Sequence, residues 1–278
     1  MARSLTQNRE KNKICTLLEE EINALWNREH GDTSCVMEAL KLLNLGQIRV
    51  AEKVQDKWVV HKYLQKAILL FFRQSQSQLM PGELCSYFDK IPLKTHGWSD
   101  ADFATAGFRA VPGCFIRYGA YVAASAVIMP SIINIGSFID ENSMIDSNVL
   151  VGSCAQIGKN CHISDGVSIG GVLEPLCASP VIIEDNCFLG IKSAVAEGVL
   201  IERGSVLAAG TILTSSTKII HRETGEISYG RIPAYSVVVP GTYPASSGGD
   251  IHLGCAIIVK RVNEQTRKKT SINALLRL

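Results

Sequence analysis

The chain has 278 residues, 46% hydrophobic and 19% charged, which are ordinary proportions for one or two folded domains with a sizeable core. Its 28 basic and 26 acidic side chains leave a formal charge of +2 with no basic stripe, which argues against nucleic acid or an anionic membrane as partner. Residues 1–13 are polar, and the longest strongly apolar run, Ala67 to Phe72, is far short of the roughly 20 residues that span a bilayer, so a cytoplasmic location is expected. Nine cysteines, an odd number without a Cys-x-x-Cys pair, argue against a disulfide framework.

Residues 1–108 read as an N-terminal helix-rich domain. Ile14, Leu17, Leu18, Ile22 and Leu25 fall on one face of a helix that Gly31 can end, and a second helix fits Cys35 to Leu45 before Gly46. Residues 49–60 read as two short strands around Gln55-Asp56-Lys57, followed by a helix over Tyr63 to Arg73. Ser99 is placed to cap a short helix running to Gly107.

From residue 109 to 235 the pattern changes. An apolar residue recurs every six positions at Tyr121, Val127, Ile133, Ile139, Ile145, Val151, Ile157, Ile163 and Ile169, and again from Ile183 to Leu213. Four places after nearly every anchor stands a small residue, such as Ser125, Ser131, Ser143, Cys161, Cys187 or Ser205, with Val149, Val167 and Val199 slightly larger. Short repeats of this kind make a parallel β-helix, in which the anchors fill the interior and the small residues let the chain bend past them. Fifteen hexads at three per turn predict five coils. Cys161 and Cys187 read as small hydrophobes in the bend slot rather than as nucleophiles or ligands. Between Ile169 and Ile183 the beat slips, so a loop near 170–182 leaves the coil, and loops on a rigid scaffold are where function tends to sit. Residues 236–278 read as a C-terminal cap, with strands at Ser236 to Val239 and Ala256 to Val262 and a helix at Ser271 to Leu276.

Several long non-repetitive strings go further than the repeat. Val151-Gly-Ser-Cys-Ala-Gln-Ile-Gly-Lys-Asn160, Gly170-Gly-Val-Leu-Glu-Pro175, Ile182-Ile-Glu-Asp-Asn-Cys-Phe188, Arg222-Glu-Thr-Gly-Glu226 and Ala256-Ile-Ile-Val-Lys260 resemble the tetrahydrodipicolinate N-succinyltransferase family in order and spacing. That resemblance implies a left-handed β-helix, an exception to the right-handed rule for parallel crossovers. It also implies a homotrimer with active sites between neighbouring prisms. The implied reaction transfers a succinyl group from succinyl-CoA, a co-substrate rather than a bound cofactor, to the nitrogen of tetrahydrodipicolinate in lysine and diaminopimelate biosynthesis.

Acyl transfer to nitrogen needs a base for the attacking nitrogen, an oxyanion site, and donors for the acceptor's carboxylates. By the resemblance, Asp146 is the catalytic residue and also contacts substrate, and Arg109 supplies a guanidinium fork for a carboxylate. Ser153, Glu174, Gly190 and Ser193 fall in segments that line the acceptor site, and Ala208, Gly210, Lys218 and Lys260 are placed to meet CoA, the first two through backbone N–H groups. Spacing alone does not single out Asp146, because Asp140, Glu184 and Glu202 occupy the same slot after an anchor. The chain departs from the family in carrying Asn148, Lys192 and Ala194, the last where the family has a glutamate, so either Asp146 carries the proton work alone or another group such as Glu197 substitutes. Alternatives are a hexapeptide acyltransferase with another amine or acyl donor, and a β-helix scaffold without catalysis. His162 falls just before an anchor and reads as a solvated side chain, and His162, His221 and His252 do not share a repeat-related spacing, so no metal is expected.

Overall fold

The computed structural model describes residues 2–28, 31–82, 85–171, 173, 179–245 and 250–269. The repeat forms a three-sided, left-handed parallel β-helix whose sides are strands two residues long, with the second residue of each pair facing inward. The inward column of the first face is Ile128, Ile145, Ile163, Leu189 and Leu207. The second face stacks Ile116, Ile133, Val151, Ile169, Val195 and Leu213, and the third Val122, Ile139, Ile157, Ile183, Ile201 and Ile232. All belong to one buried core. Each strand hydrogen-bonds to the coils above and below it, so the backbone is satisfied within the stack.

A regular corner has four residues, and the third adopts positive φ, as at Asn142 (57°), Asn148 (58°), Asn160 (55°) and Asn186 (61°). Asparagine is the non-glycine residue that best tolerates this region. One corner breaks the rule. Met129-Pro130-Ser131 has three residues and no left-handed member, since proline's ring holds φ negative. Below it the beat is therefore displaced by one residue: Val122 and Ile128 face inward, and the expected anchors Tyr121 and Val127 face outward. Ser125 likewise is not the small interior residue; it is exposed with φ of 66°, and Ala126 fills the slot. Two of the faces carry six strands each, so the stack is six coils tall rather than five. The extra turn is closed by Arg231–Ile232, after a hairpin of Ile219–His221 and Ile227–Ser228 that leaves the prism.

Ile183 pairs with Ile157 eight residues later than a regular eighteen-residue coil would bring it, so the chain does leave the stack between them. Glu174 and most of that loop lie outside the described residues, as does the expected helix at 271–276. The long antiparallel strands Ser236–Pro244 and His252–Arg261 extend the first face, and Val238, Ala256 and Ile258 close the top of the prism core.

The N-terminal residues form α1 (Ala2–Trp26), α2 (Ser34–Asn44), a hairpin of β1 (Ala51–Val54) and β2 (Lys57–Val60), α3 (Lys62–Gln74), a hairpin of β3 (Gln78–Met80) and β4 (Tyr87–Asp89), and α4 (Asp100–Ala106). Leu18, Ile22 and Leu25 of α1 are buried, whereas Ile14 and Leu17, expected on the same face, are exposed. The Ser99 cap is present as a reciprocal capping box with Asp102. A second core joins α1, α2 and α3 to Ile135 and Cys154 of the prism. Arg49 extends this contact over the third face, donating to Gln156 Oε1 at 2.9 Å with its guanidinium 3.8 Å from the Phe138 ring centre. No helix is long and apolar enough to cross a membrane among the described residues.

Candidate active site

The residue after each inward side chain sits at a corner of the prism, and the three corners differ in what surrounds them. On the third-to-first edge stand Asp140, Glu184 and Glu202. Glu184 Oε1 accepts from Lys53 Nζ (2.8 Å) and Trp58 Nε1 (2.9 Å) of the β1–β2 hairpin, and Oε2 accepts from the Arg203 backbone N–H (3.0 Å). Burial pushes its carboxyl up, but these donors outweigh burial and hold it below the usual carboxylate range. Glu202 accepts from the Ala234 N–H and pairs with Arg231. Glu184 and Glu202 fasten parts of the chain together, whereas Asp140, among the described residues, accepts only from the neighbouring Glu141 N–H.

On the second-to-third edge, Gly152 and Ser153 lie directly against Gly171 and beside the second core, and Ser153 is buried. Ser153 is therefore on a different edge from Asp146.

The first-to-second edge carries Asp146, then Ser164, Gly190 and Ala208 on successive coils. Asp146 Oδ1 accepts from the Ser147 N–H at 2.8 Å. Oδ2 has no hydrogen-bond donor among the described residues and stands 3.9 Å from His162 Nε2. The imidazole is held one coil up, above Met144, with its ring 5.3 Å from that of Phe188. Above Asp146 the edge is smooth. At Gly190 a Cβ would lie 2.6 Å from the Ala209 nitrogen, so the next coil approaches too closely for any side chain. Beside this strip a polar ladder joins three corners: Asn148 Nδ2 donates to Asp165 Oδ1, and Lys192 Nζ reaches Asp165 Oδ2, both at 2.9 Å. The Asn148 amide and the Lys192 ammonium hold the Asp165 carboxyl below the usual range.

Arg109 is exposed on the outward column of the first face, below Val127, Met144 and His162. The Ser193 side chain points into the prism, with its hydroxyl buried and without a partner among the described residues, so it does not face a substrate. Ala194 faces outward on the second face between Ser168 and Ile212. Glu197 cannot replace a carboxylate there, because it accepts from the Ser215 N–H and hydroxyl on the second-to-third edge. The N–H groups of Ala208 and Gly210, expected to meet CoA, are already bonded to Val238 O (2.8 Å) and Ile191 O (2.9 Å). Lys218 lies over the Tyr243 ring at 3.9 Å, and Lys260 sits on the strand His252–Arg261.

His162, expected as a solvated side chain, is 43% exposed. Eighteen residues per coil puts it above Met144, two residues from the Asp146 corner. A cleft of about 1160 Å³ opens low on the second face between the β3–β4 hairpin and Phe115, Ile132 and Leu150, with Arg117 paired to Asp89 in its wall. Among the described residues no group of three His, Cys, Asp or Glu side chains converges as a metal site, and every cysteine is a free thiol.

Comparison with known proteins matches residues 17–74 to the N-terminal region of tetrahydrodipicolinate N-succinyltransferase and residues 180–215 to the hexapeptide repeat of succinyl-transferase. A 2,3,4,5-tetrahydropyridine-2,6-dicarboxylate N-succinyltransferase from Gluconobacter oxydans is 59% identical over 94% of this chain and 98% of its own. Those of Granulibacter bethesdensis and Maricaulis maris are 58% and 63% identical over 94% and 87% of this chain, and 98% and 89% of theirs. With both of its structural layers matched and the likeness running nearly end to end, the chain belongs to the tetrahydrodipicolinate N-succinyltransferase family.

Proposed function

We propose that this protein transfers the succinyl group of succinyl-CoA to the nitrogen of tetrahydrodipicolinate in its hydrated form, in which water added across the ring C=N bond leaves a proton on nitrogen, with Asp146 taking that proton from the attacking nitrogen. The observation that carries the reading is 59% identity over 94% of the chain to a relative bearing that activity in its name. The nitrogen forms a bond to the thioester carbonyl carbon, the carbon–sulfur bond breaks, and CoA leaves with a proton on sulfur. Asp146 suits the base because one oxygen is fixed by the Ser147 N–H and the other is open. Arg109, exposed on the adjoining face, suits an acceptor carboxylate.

The strip Ser164, Gly190 and Ala208 offers an extended thioester arm a path lined only by small residues. Gly190 contributes by its absence of a Cβ, and Gly210 by open space where a Cβ would be. Lys218 and Lys260 supply positive charge for the CoA phosphates. Ser153 and Glu174 belong to a site completed by a neighbouring subunit. The proposed chain has parts at 1–108, 109–235 and 236–278 and acts as a homotrimer. In support, the lower second face exposes an apolar column of Phe115, Ile132 and Leu150, flanked by Leu79 and Phe88, which are 70% and 73% exposed. An apolar patch of this kind marks an interaction surface.

The test is free-thiol release from succinyl-CoA by purified protein, with and without tetrahydrodipicolinate, and light scattering on the same sample. Acceptor-dependent release from a particle of three chain masses is expected. Absence of release from a well-folded trimer would overturn the assigned acceptor, and a monomer with full activity would overturn the shared site.

A further inference from the structure

Resting on the assignment of Asp146 as base, we infer that His162 is its positioning partner and proton relay, taking the proton from Asp146 Oδ2 and passing it out of the site. Three features carry this. The Asp146 carboxylate is asymmetric, since Oδ1 is bound by the Ser147 N–H at 2.8 Å while Oδ2 has no donor among the described residues and faces His162 Nε2 at 3.9 Å. That gap is too long for a direct hydrogen bond and short enough to close by a small side-chain movement or one bridging water. The imidazole is also held in place: its strand is fixed between Met144 and Phe188, and its ring lies against the Phe188 ring. Finally, His162 is 43% exposed on its side chain against 29% for Asp146, so the path runs from the more covered group to the more open one.

The other charged groups on this face and edge do not compete for the role. Asp165 has one oxygen taken by Asn148 and the other by Lys192, and Arg109 lies three strands down the same column. Histidine suits the task because its second nitrogen can release a proton as the first accepts one. The steps balance. The nitrogen's proton goes to Asp146 Oδ2 as the new carbon–nitrogen bond forms, then to His162 Nε2 while Nδ1 gives its proton to water, and the departing CoA sulfur takes one proton back from solvent. An intermediate carboxylic acid is thereby returned to carboxylate before the next turnover.

The experiment compares full-length wild type, Asp146→Asn, His162→Gln and His162→Ala by the pH dependence of kcat and by both KM values. Far-UV circular dichroism and light scattering establish that each variant is folded. The expected result for His162→Gln is a fall in kcat of roughly 10- to 100-fold with KM values within about twofold, and an acidic limb of the pH profile moved to lower pH. His162→Ala is expected to recover activity with added imidazole. Wild-type kcat and profile in His162→Gln, with Asp146→Asn inactive, would overturn the relay and leave Asp146 as base. Full activity in Asp146→Asn would overturn the base assignment itself. A loss confined to KM, with no imidazole rescue, would make His162 a packing residue and overturn the relay.

Discussion

Glu184 and Asp146 occupy the same slot of the repeat, the corner position after an inward aliphatic residue, yet they sit on different edges of the prism and do different things. Glu184 accepts three hydrogen bonds, two of them from the β1–β2 hairpin, and its side chain is only 10% exposed. Asp146 accepts one local hydrogen bond and leaves an oxygen open beside an imidazole. A carboxylate with both oxygens engaged works as a fastener, whereas one with a free oxygen at a fixed position can take a proton. The repeat supplies equivalent positions; the parts of the chain that dock on each edge decide their use.

The largest expected break of this contrast is Asp146→Asn, which keeps the shape and the Ser147 contact but cannot accept a proton at the amide nitrogen. We expect kcat to fall by about 10²- to 10⁴-fold with the unfolding midpoint unchanged. An unchanged rate would remove the role given to Asp146. Glu184→Ala should do the opposite. Losing the acceptor leaves the Arg203 N–H, the Trp58 N–H and the Lys53 ammonium without their partner, at a cost of roughly 1–3 kcal/mol. For a chain of this length that corresponds to a fall of several degrees in melting temperature, with kcat retained in the surviving protein.

The same pair separates in acid. The Glu184 carboxyl is held below its ordinary value in the folded protein. Its stabilising contribution is therefore complete above the unfolded value near 4.5 and is lost as pH falls through the lower folded value, because the unfolded chain takes up the proton first. Melting temperatures measured between neutral pH and pH 3 should fall more steeply in wild type than in Glu184→Ala, and the two curves should converge at the acid end. Parallel curves would mean that Glu184 is not the fastener its hydrogen bonds make it.

Much of this was legible in the sequence, and what was missed has a physical cause. The interior from Ile133 to Leu213 followed from spacing alone, because each side of a triangular coil admits one large aliphatic side chain and only a smaller one at the bend beside it. Tyr121 and Val127 were misassigned because Pro130 shortens a single corner, and a one-residue deletion shifts every strand below it while keeping its own six-residue beat. Leu17 fits the apolar face of α1 by period but is 56% exposed, since a helix covers only the stripe its neighbours reach. At the site, Asp146 needed the family resemblance, as its slot is shared with three other acids. The edge that distinguishes it emerges only once the chain is wound, as does the approach of His162 from the next coil.

Ala194→Glu tests the departure from the family on the open side of the comparison. Its outward position between Ser168 and Ile212 lets a longer side chain leave the surface without entering the core. The melting temperature should hold, and kcat should be maintained or rise; a collapse of activity would mean that the site depends on the alanine.

Lys192→Ala should perturb stability far less than Glu184→Ala. Lys192 Nζ is 2.9 Å from Asp165 Oδ2, but the lysine side chain is 63% exposed. Solvent and salt screen such a pair, and its loss should leave the melting temperature nearly unchanged. The stem also passes over Gly166, where any Cβ would collide with it, so the ladder depends on a glycine in the coil below. If the open edge holds anionic ligands, removing its ammonium should raise a substrate KM severalfold, and added salt should weaken wild type toward the variant. A stability loss as large as that of Glu184→Ala, with KM unchanged, would instead make this edge a fastener like the other and erase the distinction between them.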